Sequence, residues 1–362
     1  MDSAEHDRTP TGPSRSGTGA DLPPGWTAGH PVPQDVDALF RVAAAHDRSG
    51  LGRPTTTPES VAARVVGPGA QTREHCVVRD PAGVVRAWGE VHDRAAGRTV
   101  VAVLVDPGLV DPGPAGAEPD DGTADRVAAF LFDWAEQQGR RLALQRGLEA
   151  TQLDAGAFAG DDRQHRWLTA AGYVHVRTWW QMSRPVEAAE AAADAFPPPG
   201  EGITVRQVVR DDGTPDERDL RAVHDVLEAA FTDHFNYHEE TFDEFVTRQQ
   251  QEVGHAWDHW WLAELEDGEP VGALVGEVSA GADGQPDGSY VAYLGVTSAA
   301  RGRGVARSLL HALISDAAAR GRDRVGLEVD ADSPTGAVGL YQSMGFRTRY
   351  VTESWHRDLV VR

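Results

Sequence analysis

Lysine is absent from this chain of 362 residues, and all 34 of its basic residues are arginine. Without lysine there can be no Schiff-base nucleophile, no attachment point for pyridoxal phosphate and no P-loop lysine. The sequence also contains no G-x-S-x-G elbow and no paired C-x-x-C. These absences exclude several large groups of enzymes before any motif is considered.

Cysteine is almost as scarce, since Cys76 is the only one. A disulfide within the chain is therefore impossible, which is typical of proteins from a reducing compartment. No apolar run approaches the length of a membrane span, and the N-terminal region has no signal-peptide core. We therefore expect a cytoplasmic protein that does not act at a membrane.

Positive charge is also in deficit, because 56 acidic residues give a net charge of −22. This balance argues against nucleic acid as a partner and mildly favours a cationic small molecule. Solubility in a crowded cytoplasm is the simpler explanation of the bulk charge.

Metal binding is not expected either. His255 and His259 have the spacing of a zinc helix, but Ala256 stands where a zincin has glutamate. We interpret this tryptophan-rich stretch as packing and strand entry.

The most informative stretch spans residues 290–346. A β-prone run at 290–296 leads into a glycine- and arginine-rich turn at 301–306, and a helical pattern follows. A strand that feeds such a turn and then a helix builds an anion site, because bare backbone N–H groups and the helix dipole both face the ligand. A second strand at 325–329 precedes a second, shorter helix.

Both helices have recognisable ends. The first should finish at Arg320-Gly321, with the glycine just past the last turn. Ser333 is expected to cap the second helix, Pro334 to begin it and Gly345 to end it. The apolar face of the first helix is predicted to consist of Ala306, Leu309, Leu310, Leu313, Ile314 and Ala317.

Two motifs, R-x-x-G-x-A at residues 301–306 and L-Y-x-x-x-G-F at residues 340–346, carry a family resemblance. Together with the strand between them, they resemble the GNAT superfamily of acyl-coenzyme A-dependent N-acetyltransferases. One departure is Ser333, where the family often has asparagine. The resemblance implies an α/β (α+β) fold with a mixed, mostly antiparallel sheet that is flanked by helices and splays open around its fourth strand.

The chain contains two copies of one plan. Residues 167–173 parallel residues 340–346, and an amphipathic helix at 124–138 parallels the helix at 304–320. A strand near 100–104 corresponds to the one at 291–295. Further strands are predicted in equivalent places at 75–79, 84–91, 259–265 and 270–278.

The predicted organisation is a disordered tail (1–22), a GNAT-like domain (23–185), a linker (186–202) and a catalytic GNAT domain (203–362). The first domain is expected to be degenerate. It has no arginine from Val100 to Asp125, and five carboxylates and several prolines occupy the would-be pyrophosphate loop. This tandem arrangement resembles that of mycothiol synthase.

The resemblance implies that pantetheine pairs with the fourth strand and that the pyrophosphate binds the amides of the loop. The expected coenzyme-binding residues are Leu294, Gly295, Val296, Arg301, Gly302, Arg303, Gly304, Val305, Ala306, Arg307, Ser333 and Tyr341. The amide of Val296 is expected to hold the oxyanion.

Tyr341 is predicted to be the general acid, as the resemblance implies, with packing against the coenzyme as its alternative role. The pattern of Ala337, Leu340 and Met344 suggests a buried stripe, so Tyr341 is expected to point away from it. A tyrosine with a pKa of about 10 can protonate a leaving thiolate. The expected base is Glu328 or Glu277; His234, Asp330 and a water chain remain alternatives.

The acceptor is expected to bind at residues 231–240, through His234, Phe235, Tyr237 and Glu239. An ordinary helix–loop–helix with a solvated acidic face is the alternative interpretation. The predicted function is transfer of acetyl from acetyl-coenzyme A to a small, cationic amine by a monomer or homodimer. The alternatives are acetylation of a cysteinyl pseudo-disaccharide, as by mycothiol synthase, and a non-catalytic acyl-coenzyme A sensor.

Overall fold

The computed structural model describes residues 20–94, 98–109, 122–232, 239–281, 286–333 and 336–361. Its strands, numbered in chain order, are β1 (Thr27–Gly29), β2 (Arg73–Arg79), β3 (Val85–Asp93), β4 (Thr99–Val105), β5 (Ala150–Phe158), β6 (Val174–Pro185), β7 (Ile203–Gln207), β8 (Arg210–Asp211), β9 (Thr214–Pro215), β10 (His255–Leu265), β11 (Pro270–Ser279), β12 (Gly288–Val296), β13 (Arg324–Asp330) and β14 (Arg347–Val360). Its α-helices are α1 (Val36–Leu51), α2 (Pro58–Val65), α3 (Thr123–Gln145), α4 (Asp162–Ala170), α5 (Glu217–Phe231), α6 (Phe242–Gln251), α7 (Val305–Ala319) and α8 (Ala337–Ser343).

Twelve of these strands form one sheet, in the order β1-β2-β3-β4-β5-β14-β6-β13-β12-β11-β10-β7. Neighbouring strands are antiparallel except for two pairs, β4 with β5 and β12 with β13. The order is the same from either end when β1–β6 are matched with β7 and β10–β14. The mixed, mostly antiparallel sheet and the two copies of one plan are both confirmed.

Each half of the chain gives its last strand to the other half. β6 lies between β13 and β14, and it pairs with β13 along the whole of that strand. β14 in turn lies between β5 and β6. Met182 of β6 therefore packs in the core of the C-terminal half, and Leu359 of β14 packs in the core of the N-terminal half. Neither half completes its sheet with its own residues alone.

Helices cover both faces of the sheet. In the N-terminal half, α3 and α4 pack on one face, and α1 and α2 pack on the other. In the C-terminal half, α7 and α8 cover one face, and α5 and α6 cover the other. None of the helices in the described ranges is long and apolar enough to cross a bilayer.

The predicted local elements are present. The strands expected at 75–79, 84–91, 259–265 and 270–278 are β2, β3, β10 and β11. The helix expected at 124–138 is α3, which continues to Gln145. α7 buries five of the six residues of the predicted apolar stripe, and Ala306 is half-buried. Gly321 follows the helix with a positive φ of 69°, as a helix-ending glycine should.

The described parts of the predicted tail and linker contact the folded halves. Residues 1–19 of the expected tail lie outside the described residues, but the amide of Ala20 donates to Asp133 at 2.6 Å. Within the expected linker at 186–202, the ring of Phe196 stacks on His311 of α7, with centroids 4.4 Å apart. The domain boundaries themselves stay predictions.

The shared core predicts that the two halves unfold together. Leu359→Ala should lower the free energy of unfolding by about 2–5 kcal/mol, because a fully packed side chain leaves a cavity. Val360→Ala, on the same strand but with 66 % of its side chain exposed, should change it by less than about 0.5 kcal/mol. Urea unfolding followed by circular dichroism and tryptophan fluorescence measures both. Two separate transitions would contradict a shared core.

Candidate active site

The parallel pairing of β12 with β13 is short. It covers Ser289–Val291 on β12 and Val325–Leu327 on β13, after which β13 continues beside β6. Residues beyond Val291 keep their pairing with β11 on the other side. Within the described residues, the sheet therefore opens in the middle of the C-terminal half. One backbone edge of β12 faces that opening, so its N–H and C=O groups are available to a ligand.

A β-bulge lies where the opening begins. Ala292 is the extra residue of β12 relative to β11, and such bulges commonly re-aim a strand beside an active site. Leu294, Gly295 and Val296 follow it, so the predicted pantetheine-binding residues lie on the free edge. A Cβ at Gly295 would lie 3.0 Å from the Cβ of Ala230, so α5 packs too closely here for a larger residue.

β12 leads through a tight loop into the N terminus of α7. Gly302 and Gly304 have φ angles of 78° and 80°, which side-chain-bearing residues rarely adopt. The first bond of the helix runs from the amide of Ser308 to the carbonyl of Gly304, at 3.0 Å. The amides of residues 305–307 consequently have no carbonyl within the helix to bond. Together with the helix dipole, they form an anion-binding cradle.

Three exposed arginines surround this cradle: Arg301, Arg303 and Arg307. Arg307 donates to the hydroxyl of Ser343 at 2.7 Å, which links the start of α7 to the end of α8. Arg303 reaches the carbonyl of Glu201 at 3.4 Å. The loop is therefore a local positive patch on a chain whose net charge is −22.

The second motif helix begins later than predicted. α8 starts at Ala337 with Gly336 as its N-cap, so the expectation that Ser333 caps it is wrong. The amide of Ser333 instead donates to the carbonyl of Asp330, in a turn that continues from β13. Residues 334 and 335, and with them the predicted proline start, lie outside the described residues. Gly345 ends the helix with a φ of 88°, as predicted.

Tyr341 lies on the buried stripe of α8. It is 8 % exposed and packs in the core of the C-terminal half with Ala337, Leu340, Met344 and Phe346. The expectation that it points away from this stripe is wrong, because a spacing of four residues from Ala337 keeps it on the same helix face. Burial raises the pKa of Tyr341 to about 12, so the phenol stays protonated at neutral pH and can act as a proton donor.

The two candidate bases lie on one face of the sheet. Glu277 of β11 is directly opposite Tyr290 of β12, and Tyr290 is opposite Gly326 of β13. Glu328 stands two residues beyond Gly326, so strand alternation places it on the same face. A Cβ at Gly326 would lie 3.3 Å from the ring of Tyr290, which therefore covers this glycine.

The environments of these two carboxylates differ. Burial raises the pKa of Glu277 to about 7, with a further rise from Glu252 and an opposing effect of Arg248. Burial also raises the pKa of Glu328, and the hydrogen bond from Gln181 opposes that shift. The side chain of Glu328 nevertheless reaches solvent, as expected of a residue in the wall of a cleft. Glu277 is thus poised to exchange a proton near neutral pH.

The other candidate bases are less suited or cannot be placed. Asp330 is 8 % exposed, accepts a hydrogen bond from the amide of Asp332 at 2.9 Å and lies 3.5 Å from Arg177, so its carboxylate already has partners. His234 lies outside the described residues. So do Phe235 and Tyr237 of the predicted acceptor segment. Glu239 lies within them and is exposed.

Sequence analysis missed a polar group beside the opening. Arg248 of α6 binds both carboxylate oxygens of Glu240, at 2.6 and 2.8 Å, and donates to the hydroxyl of Tyr293 at 2.8 Å. Tyr293 is the residue of β12 that directly follows the bulge. The only signal in the sequence was a basic residue in the last turn of α6, which has many ordinary explanations.

The two histidines considered as metal ligands are strand residues. His255 and His259 both lie in β10, as predicted. His259 contacts Asp316 at 2.7 Å and Ser289 at 2.9 Å, and Arg322 donates to the same serine. These side chains resemble a hydrolytic triad, but the serine is only 1 % exposed. Their hydrogen bonds instead join β10, β12 and α7. Among the described residues, no three His, Cys, Asp or Glu side chains are placed to hold a metal.

In the N-terminal half, the side chain of Gln164 fills the equivalent opening. β4 and β5 pair over only three positions, as β12 and β13 do. Beyond them, Gln164 of α4 donates to the carbonyl of Val103 at 3.2 Å and is 3 % exposed. Ala337 occupies the matching position of α8, and it has no side-chain amide that could donate in the same way. An internal hydrogen bond thus occupies the strand edge where the C-terminal half is open.

Other residues of the N-terminal half also differ from their counterparts at the coenzyme site of the C-terminal half. Asp125 places a carboxylate in the first turn of α3, where the C-terminal half has its amide cradle, and Trp167 donates to it at 2.5 Å. Leu168 stands at the position of Tyr341. These features support the expectation that the N-terminal half does not bind coenzyme, which stays a prediction.

Comparison with known proteins agrees with this geometry. Residues 220–346 match the family model described as acetyltransferase (GNAT) family. A mycothiol acetyltransferase from Thermobispora bispora is 32 % identical over 224 residues, which is 58 % of this chain and 69 % of the relative. This chain belongs to the GNAT acetyltransferase family. A mycothiol acetyltransferase from Jonesia denitrificans is also 32 % identical, over 52 % of this chain and 57 % of that relative.

Solved structures extend the likeness to almost the whole chain. A GCN5-related N-acetyltransferase from Sphaerobacter thermophilus has a TM-score of 0.68 at 26 % identity and covers 93 % of this chain and 97 % of its own. A tandem GNAT protein from the clavulanic acid biosynthesis pathway has a TM-score of 0.64 at 13 % identity, covers 92 % and 98 %, and shares the fold. The protein is thus a GNAT acetyltransferase with a tandem fold.

An acyl-coenzyme A, the co-substrate of GNAT enzymes, fits the residues present. The free edge of β12 offers hydrogen bonds for a chain of amides, and the cradle at 304–307 offers bare N–H groups for a pyrophosphate. The open, arginine-rich loop supplies counter-charge without a lysine.

Gly304→Ala tests the cradle. The new Cβ would meet no atom within 4 Å, so only the positive φ of 80° is strained, which should cost roughly 1–2 kcal/mol of stability. Because the strain falls on the cradle itself, coenzyme A binding should weaken by about tenfold or more in calorimetry. Gly83→Ala is the matched control, with the same φ of 80° and equally open space in the N-terminal half. Equal coenzyme affinity in the two variants would argue against the cradle.

Proposed function

We propose that this protein transfers the acetyl group of acetyl-coenzyme A directly to the amine of a small metabolite. The observation that carries the proposal is the opening between β12 and β13, whose free strand edge leads into the amide cradle of α7. Membership of the GNAT family gives the reaction class. The acetyl group, the amine acceptor and the direct transfer are our proposal.

The coenzyme supplies the activated acyl thioester, and the chain supplies binding and orientation. Leu294 and Gly295 present backbone groups along the opening, and the amide of Val296 is the proposed oxyanion donor. Arg301 and the amides at 304–307 bind the pyrophosphate end. The sheet opening confines the reacting end between β12 and β13, next to the face that carries the carboxylates.

Glu277 is the proposed base. An alkylammonium has a pKa of about 10.4, so its proton must be removed before the nitrogen can attack. A carboxylate whose pKa is about 7 accepts that proton more readily at neutral pH than an ordinary one does. Glu328 lies on the same face and is the alternative base. Tyr341 is the proposed acid that protonates the leaving thiolate.

The relatives favour one specific acceptor as a second candidate. Two proteins named mycothiol acetyltransferase are each 32 % identical to this chain. Their names support a cysteinyl pseudo-disaccharide as the acceptor here as well. A thiol-release assay with acetyl-coenzyme A against this compound, simple amines, amino acids and aminoglycosides tests both candidates. Release with none of these amines, despite coenzyme binding, would overturn the proposed function in favour of an acyl-coenzyme A sensor.

Tyr341→Phe should lower kcat by about 10²-fold or more while leaving the Kd for coenzyme A unchanged, because only the proton donor is lost. Stopped-flow kinetics and calorimetry measure the two quantities. Tyr173→Phe is the control, since Tyr173 is a buried tyrosine of the N-terminal half, and it should leave kcat unchanged. A full-rate Tyr341→Phe enzyme would remove this residue from the mechanism.

The base should show itself in the pH profile. Glu277 must be deprotonated to act, so kcat/KM should rise as the pH increases through about 7 and then level off. Glu277→Gln should abolish this limb and reduce the rate by about 10²-fold or more. Glu328→Gln should keep the limb near pH 7. The reverse pattern would transfer the role to Glu328.

A further inference from the structure

Arg94 of the N-terminal half is unusual among the arginines of this chain. It follows β3 in the hairpin to β4, and its side chain is partly buried. Its neighbours in the hairpin are paired: Arg98 with Asp154, and Asp93 with Arg146. Across the described ranges, every other buried or half-buried arginine has an ion pair or a side-chain hydrogen bond, whereas the guanidinium of Arg94 has neither.

An unpaired guanidinium in such a position is costly. Removing a charged group from water without a partner is unfavourable, and native structures therefore pair such groups. The desolvation is reflected in the pKa of Arg94, which burial lowers. With 56 acidic residues in the chain, a counter-ion would be easy to supply. That Arg94 nevertheless has no carboxylate partner suggests that it binds a ligand.

The hairpin that carries Arg94 lies against α6 of the C-terminal half. Asp93, next to Arg94, lies 2.9 Å from Arg146, which in turn lies 3.7 Å from Glu244 of α6. Tyr293, Arg248 and Glu240 of the C-terminal half also affect the pKa of Arg94. Tyr293 is the β12 residue beside the bulge, at the start of the opening. Other contacts hold the two halves together nearby, such as the hydrogen bond of 3.1 Å from Thr72 to Gln251 of α6. The hairpin of the N-terminal half thus lies beside α6, whose Arg248 reaches Tyr293 at the start of the opening.

The region around Arg94 carries an excess of positive charge. His92, 7 % exposed, has its pKa lowered to about 2, first by burial and then by Arg73, Arg94, Arg248 and Arg64. A neutral imidazole among four guanidiniums adds no counter-charge.

Two carboxylates in this region are already paired. Glu90 lies 3.5 Å from both Arg64 and Arg73, and Glu240 binds Arg248 through two oxygens. Glu252 adds a third negative charge, which acts on Arg73. Three carboxylates therefore face four guanidiniums, and one positive charge is left without a counter-charge.

We propose that Arg94 binds an acidic group of the acceptor, a carboxylate or a phosphate. A guanidinium matches either oxyanion through two parallel N–H donors. The inference rests on the proposed function and narrows its substrate class to amines that also carry an oxyanion. The amine end would lie towards Glu277, and the acidic end against the N-terminal half. That half then serves to recognise the acceptor instead of binding coenzyme.

Matched acceptors test this inference. Glucosamine 6-phosphate and glucosamine differ by a phosphate, and serine and serinamide differ by a carboxylate charge. Thiol release by the full-length enzyme should favour the acidic member of one pair by about tenfold or more in kcat/KM, as for a charge-assisted hydrogen bond. The pair that shows the preference identifies the oxyanion.

Arg94→Met should remove that preference by raising KM for the acidic acceptor, with kcat and the neutral acceptor unaffected. Arg141→Met is the control, because it removes an arginine of α3 that pairs with Glu74 away from the cleft, and it should retain the preference. An unchanged preference in Arg94→Met, an equal loss on both members of a pair, or no preference in the wild-type enzyme would each overturn the inference.

Binding gives a readout that does not depend on turnover. Calorimetric titration of glucosamine 6-phosphate and serine into wild-type protein and Arg94→Met should show acid-specific binding only in the wild type. Thiol release with neutral amines alone would leave the proposed function standing while this inference failed. Acid-specific binding without thiol release would do the opposite. Equal binding by both proteins, or binding by neither, would overturn the inference.

Discussion

The early end of the parallel pairing between β12 and β13 is the constraint on which the rest of the site depends. A regular parallel pair would bond every backbone group of β12 and leave nothing for a ligand. Because pairing stops at Val291, the strand has a free edge, the bulge at Ala292 can turn the chain, and the edge leads to the bare amides of α7. The glycines of the loop then matter because they place those amides, rather than because a ligand needs space.

The exchange of β6 and β14 explains why a half without an evident coenzyme site persists. Met182 lies in the core of the C-terminal half although it belongs to the N-terminal sequence, so the catalytic sheet is incomplete without its partner. Gln164 closes the strand edge that the other copy leaves open. Once the fold requires the first copy, its surface is available for another task, and Arg94 stands where it can perform one.

The features that could be predicted from the sequence are those that depend on residues close together in the chain. The loop at 301–306, the stop at Gly345 and the strands of both halves follow from spacing and glycine positions alone. The cap at Ser333 was predicted wrongly because α8 begins at Ala337, later than the sequence pattern indicated. The orientation of Tyr341 was also predicted wrongly, although its spacing of four residues from Ala337 already placed both on one helix face. The strand exchange and Arg94 depend on residues far apart in the chain, where a swapped strand has the same alternation as an unswapped one.

If Arg94 has the proposed role, net charge is a poor guide to the charge of the acceptor. Exposed carboxylates are screened beyond about 8 Å at physiological ionic strength, whereas groups inside the cleft act through a poorly screening medium. The charges nearest to the bound acceptor therefore determine which acceptor is favoured. Glu277 can accept a proton near neutral pH, and Arg94 has no ion pair among the described residues. A purely cationic amine would satisfy the first group and be repelled by the second. A small zwitterion satisfies both, so the acidic surface of this enzyme is compatible with a substrate that also carries negative charge.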